Sequence, residues 1–221
     1  MIIQYRNVDD FQSLILRGPG QFEVVQAERD KLCIEAAGQY LDQIESKVDS
    51  GRLNVGIQSR DVIDLSAYNA TIRYRIEVRD LRRLKVLGQA NVVVPDMDRD
   101  ELFVTASGRS NITLSKLTAD RVTIRIDGRS EVKISGDVEQ QTIELSDQGK
   151  LLSDELICDR ADCRMTGSAS AEIRVNDELS VYLAEAARLT YVGYPDVEKY
   201  GSGTLVRRRK QTPTTRGTEH G

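Results

Sequence analysis

The chain has 221 residues, a formal net charge of −4, 30% charged and 39% hydrophobic residues. That balance excludes a disordered polymer and fits a soluble fold with a substantial core. Trp is absent and Phe occurs three times, so the core must come from Val, Ile and Leu, side chains that suit stacked strands.

The N-terminus, "MIIQYRNVDDFQSL", has no basic stretch followed by an apolar run, and no segment reaches the length of a membrane span. As given, the sequence predicts a cytoplasmic protein; a leader ahead of it would make it a cell-envelope or secreted one. "SLILRG", "QFEVVQA", "LCIEAAG" and "RLNVGIQ" read as strands. "QYLDQIESKVD" carries Leu41, Ile44 and Val48 at helical spacing, which predicts a short helix covering one end of the core. Residues 1–70 are thus expected to form an irregular β region and cap, continuous with the strands after it. At 72–78, "IRYRIEV" alternates strictly and reads as a half-buried strand.

From residue 81 the chain repeats. "LRRLKVLGQANVVVPDMDRD", "ELFVTASGRSNITLSKLTAD" and "RVTIRIDGRSEVKISGDVEQ" are three units of twenty. Gly88, Gly108 and Gly128 return at one position. Val86, Val104 and Ile124 fill an apolar slot before the glycine; Val92, Ile112 and Val132 fill one after it. Two further slots hold Val94, Leu114 and Ile134, then Met97, Leu117 and Val138. Later units degrade: Gln148 and then Ala186 or Ala187 stand in the glycine slot, and "GSGTLV" (201–206) closes the series. A fixed period built from strands and turns marks a solenoid, stabilised by stacking. A recurrent glycine marks a recurrent corner, because a residue without Cβ turns easily through positive φ. At about 3.3 Å per residue, twenty residues give a coil of roughly 66 Å perimeter, with coils about 4.8 Å apart. Residues 71–206 are the expected solenoid and 207–221 a basic flexible tail.

The corners at 88–92, 108–112 and 128–132, the segment "LTYVGYPDV" (189–197) and the final "GSGTLV" together resemble the auto-transporter adhesin head GIN domain family, over roughly residues 14–206. The resemblance implies an all-β, right-handed parallel β-helix-like solenoid of cell-envelope or secreted type.

Several chemistries find no support in the residues. Asp96, Asp98 and Asp100 alternate in "PDMDRDE", but Glu101 and Ser107 occupy the sixth and twelfth positions where a calcium loop needs Gly and Glu; a solvated loop is expected. Cys33, Cys158 and Cys163 are an odd set and read as free thiols. The single histidine, His220, sits in the tail, which leaves no triad and no metal centre, and no cofactor motif is present. Glycoside hydrolysis or lysis would need a groove, and coils this even leave little room for one.

The candidate partner contacts are basic. Arg109 and Arg129 follow the glycine in successive units and should stack one strand spacing apart, with Asp127 and Glu131 near enough to neutralise them. Arg207, Arg208, Arg209, Lys210 and Arg216 against Glu219 give the tail +4, leaving −8 for the body. This cluster reads either as an electrostatic handle or as a guard against end-to-end strand pairing. The acidic body argues against nucleic acid. The expected function is a non-enzymatic binding or scaffold protein with a rigid polar face for a protein or glycan. The rivals are a self-assembling structural solenoid and a carbohydrate-active enzyme.

Overall fold

The computed structural model describes residues 1–57 and 72–208. The N-terminal third contains β1 (Ile2–Arg6), β2 (Ser13–Arg17), β3 (Gln21–Gln26), β4 (Lys31–Ala36), a four-residue helix α1 (Gly38–Leu41), β5 (Ile44–Asp49) and β6 (Arg52–Ile57). Then come β7 (Arg73–Val78), β8 (Arg83–Gly88), β9 (Asn91–Val94), β10 (Met97–Gly108), β11 (Asn111–Ile126), β12 (Glu131–Leu145) and β13 (Lys150–Met165). The last elements are β14 (Ser170–Arg174), β15 (Glu178–Leu183), β16 (Arg188–Val192), β17 (Asp196–Tyr200) and β18 (Thr204–Arg207). The fold is all-β, a solenoid of about 6 turns of about 20 residues.

Each full coil has three sides. The first stacks β6, β2, β8, the second halves of β10 to β13, then β15 and β17, all parallel. The second stacks β7, β3, β9, the first segments of β11, β12 and β13, then β14, β16 and β18. The third, shorter side begins only with Met97–Asp100 of β10 and continues upward with 117–120 of β11. Alternation drives this packing. In β11, Ile112, Leu114, Leu117, Val122, Ile124 and Ile126 point into the core, as does the smaller Ala119, while the other residues between them face out or lie at the margin. The six large side chains are at most 2% exposed, so each contributes on the order of 1.5–3 kcal/mol of burial.

The expected slots after the glycine are matched: Ile112 pairs with Val92 on one side and Val132 on the other, and Leu114 with Val94 and Ile134. Two slots are corrected. Val86 stacks on Ala106, while Val104 stacks on Leu84 and Ile124. Leu117 lies on Met97 but pairs above with Gly136, because the register shifts between Leu114 and Leu117; Val138 pairs with Ala119. The corner column is also corrected. Gly88, Gly108 and Gly128 have φ of 82°, 92° and 70°, and the column continues through Asp147, Gly167 and Glu185, with φ of 57°, 70° and 59°. Gln148 and Ala186 occupy the next position along: their N–H groups donate to the carbonyls of Gly128 and Gly167.

Chain order and stacking order diverge at the N-terminal end. The β2–β3 layer lies between the β6–β7 layer and the β8–β9 layer. Antiparallel strands finish this end: β5 pairs with β6, β4 with β7, and β1 with β4. The helix expected over "QYLDQIESKVD" shrinks to Gly38–Leu41. Ile44 and Val48 lie on β5, where the same spacing also satisfies period two, and the Ser50–Gly51 turn (φ 50° and 72°) folds β5 onto β6.

Candidate functional site

The corner face is built by the backbone. Arg109 N–H donates to the Gly88 carbonyl at 2.9 Å and Arg129 N–H to the Gly108 carbonyl at 2.8 Å. Just inside, Ser110 and Ser130 are buried, and their hydroxyls meet at 3.1 Å. The two arginines therefore project from adjacent rungs of a rigid corner, both exposed. Neither Asp127 nor Glu131, expected to neutralise them, forms an ion pair with these arginines: Asp127 accepts from the Ser107 hydroxyl at 3.0 Å, and Glu131 pairs with Lys150 at 3.1 Å. Among the described residues neither Arg109 nor Arg129 has an ion-pair partner.

The basic cluster divides. Arg207 places its guanidinium 3.7 Å from the centroid of the Tyr194 ring. Arg208 folds back onto the body and bridges Asp154 at 2.5 Å and Glu172 at 2.7 Å. These carboxylates raise its pKa, chiefly through the hydrogen bond to Asp154. Arg209, Lys210 and His220 lie outside the described residues.

Residues 97–100 form the opening of β10 rather than a loop. They overlook a feature the even coils did not predict, a cleft of about 1060 Å³. Its origin is the missing third side beneath β10: the chain crosses from Val78 to Arg83 through a four-residue link, Arg79–Arg82, in place of a full side. Gln12 accepts Arg82 and Arg83 N–H at its carbonyl, and the Asp30 carboxylate accepts Asp10 and Arg79 N–H, so the floor is tied together. The upper wall carries Asp98, Asp100, Glu101 and Asp120, and the lower wall Arg52 and Arg83, with Phe103 beside them. No group of His, Cys, Asp or Glu among the described residues is arranged to hold a metal ion.

The three thiols are free. Cys158 and Cys163 are buried and Cys33 is half-buried. Burial pushes the Cys158 thiol up to about 12, against a lowering hydrogen bond from Gln141, and raises Cys163 as well. Tyr74, stacked on Phe22 at 4.1 Å, is likewise raised by burial. No described helix is long and apolar enough to cross a membrane.

The family model described as "Putative auto-transporter adhesin, head GIN domain" matches residues 10–195, and the chain belongs to that family. No curated protein matches the sequence. Solved structures that share the fold include three at high coverage. A "putative adhesin" from Bacteroides fragilis has a TM-score of 0.85 at 17% identity, covering 94% of this chain and 96% of the other. A "putative lipid binding protein" from Parabacteroides distasonis gives 0.75 at 15%, covering 94% and 96%. A "putative adhesin" from Parabacteroides merdae gives 0.73 at 19%, covering 94% and 95%.

Proposed function

We propose that this head GIN domain acts without catalysis, as an adhesin-like solenoid presenting a rigid polar face to a protein or glycan outside the cell or at its envelope. One observation carries the reading: Arg109 and Arg129 stand on adjacent rungs of a hydrogen-bonded corner with no carboxylate committed to either. Like charges held that close cost stability unless an anionic group sits between them. Family membership supports the adhesin-like reading; within the basic cluster Arg208 is held by Asp154 and Glu172, and Arg207, Arg209 and Lys210 extend the reading toward an acidic partner.

The test is a glycan and surface-protein array probed with wild type and with Arg109→Gln/Arg129→Gln. Specific binding that drops about tenfold in the variant supports the reading. Turnover of any polysaccharide, abolished by one Asp or Glu substitution, would overturn it.

Self-assembly has an observation of its own. β17 and β18 form the last layer, each with an unpaired edge among the described residues, and Tyr194, Val197 and Tyr200 are exposed there. Filaments in negative-stain images would favour that reading.

A further inference from the structure

We infer that the cleft beneath β10 is a binding site for a carboxylated (uronate-type) oligosaccharide, an inference that rests on the binding role proposed above. Strand register sets its lower wall. Arg52 pairs with Ser13, Ser13 with Arg83, and Arg83 with Phe103. These side chains share the outward face of the first side, so they form one row with steps of about 4.8 Å. Two guanidinium groups thus flank a serine side chain over roughly 10 Å, and an aromatic ring ends the row. The Arg83 guanidinium lies 5.2 Å from the Phe103 centroid, which aligns cation and ring.

Charge within the cleft is divided. Arg79 pairs with Asp10 at 2.8 Å, Arg82 with Asp80 at 3.1 Å, and Glu101 with Arg121 at 2.7 Å. Arg99 is drawn to the Arg79 carbonyl and toward Asp80. Among the described residues, Arg52 and Arg83 have no ion-pair partner on one wall, and Asp98, Asp100 and Asp120 have none on the other. A ligand matching both walls carries an anionic group for the arginines and many neutral O–H donors for the carboxylates. It also has an apolar face for the ring. A uronate oligomer combines these. The volume, about 1060 Å³, lies at the upper end of small-molecule pockets and has room for several sugar units.

The same cleft disfavours an extended peptide. The free edge of β10 is closed from within: the Gln26 side-chain oxygen accepts the Asp98 N–H at 2.9 Å, and Arg99 crosses the notch to the Arg79 carbonyl. A peptide would lose the backbone pairing that gives strand addition its affinity.

The test is calorimetric titration of the full chain with hexagalacturonate, maltohexaose and poly-glutamate. The expected result is saturable binding of hexagalacturonate only, weakened about tenfold or more by Arg52→Gln or Arg83→Gln and also weakened by Phe103→Ala. All three sites are exposed, and unchanged melting curves confirm folding. Equal binding of poly-glutamate, binding untouched by the arginine variants, or no binding of hexagalacturonate would overturn the inference. Arg109→Gln/Arg129→Gln serves as the parallel arm. If array binding depends on that pair while the cleft variants change nothing, the cleft fails and the corner face stands.

Discussion

The N–H of Arg129 donates to the carbonyl of Gly108 at 2.8 Å, tying the corner of one coil directly to the corner of the next. The bond needs a backbone at positive φ beneath it and close approach of two main chains. A Cβ on Gly128 would sit 2.8 Å from the Gly108 oxygen, and one on Gly108 would sit 3.0 Å from the Gly88 oxygen; Gly88 has open space.

Alanine substitution should therefore destabilise these corners in a fixed order. Gly88→Ala carries the conformational cost alone, about 1 kcal/mol. Gly108→Ala and Gly128→Ala add the clash, for a total of about 2–3 kcal/mol, with Gly128→Ala the worst. Asp147 already accepts φ of 57° in the same column, and its carboxylate accepts the Gly128 N–H at 3.2 Å. Asp147→Gly relieves the positive φ but loses that bond and loosens the unfolded chain, so it should be neutral or destabilising by about 1 kcal/mol or less. Urea denaturation of the four variants checks the order; equal losses at Gly88 and Gly128 would contradict it.

These corners also mark how far the sequence can be read. Gly108 and Gly128 are conspicuous because a Cβ there would meet the main chain of the coil below, and Gly88 because its φ of 82° favours a residue without Cβ. Asp147 and Glu185 hold the same conformation with ordinary side chains, so the column has no signature there, and counting by twenties lands on Gln148 and near Ala186 instead. The strands of 13–26 are legible as strands, but their neighbours are not. Leu14 alternates in the same way whether it stacks on Leu53, on Leu84 or, as it does, between them. The cleft is hidden for a related reason: it comes from a side the early layers lack, and Arg52, Ser13 and Arg83 meet only through pairing across long sequence distances. Arg109 and Arg129, by contrast, are visible from the repeat itself.

Alkaline pH should weaken the fold. Burial raises the thiol of Cys158 from 9.0 to about 12 and raises Cys163 and Tyr74 too. A group with a raised folded-state pKa contributes stability in full below its unfolded value and loses it as pH climbs toward the folded one. The loss therefore begins near pH 9, with a slope of up to about 1.4 kcal/mol per pH unit for each such group. The urea midpoint measured from about pH 8 to pH 10.5 should fall, and Cys158→Ala/Cys163→Ala should flatten the fall. A midpoint constant across that range would rule this out.

Arg208 makes two ion pairs, yet its side chain is 47% exposed, and Asp154 and Glu172 are 30% and 40% exposed. Water screens such pairs, so Arg208→Ala should cost less than about 1 kcal/mol, and the difference should shrink further in about 0.5 M salt. Thermal melts at two ionic strengths read both effects. A loss of several kcal/mol would mean that the clasp holds β18 in place.

Arg109 and Arg129 present the opposite case, charges with neighbours of the same sign and no partner. Asp127 and Glu131, the carboxylates beside them, are engaged by Ser107 and Lys150. Removing one charge should relieve repulsion across a single strand spacing. Arg129→Gln should therefore be neutral or stabilising by a few tenths of a kcal/mol at low salt, with the gain vanishing as the Debye length falls below about 5 Å. Arg109→Gln should behave alike, and the double variant should gain less than the sum, because the first substitution already removes the shared repulsion. Melting temperatures across a salt series give the answer. Destabilisation by either single substitution would show that these guanidinium groups hold the corner together rather than stand ready for a partner.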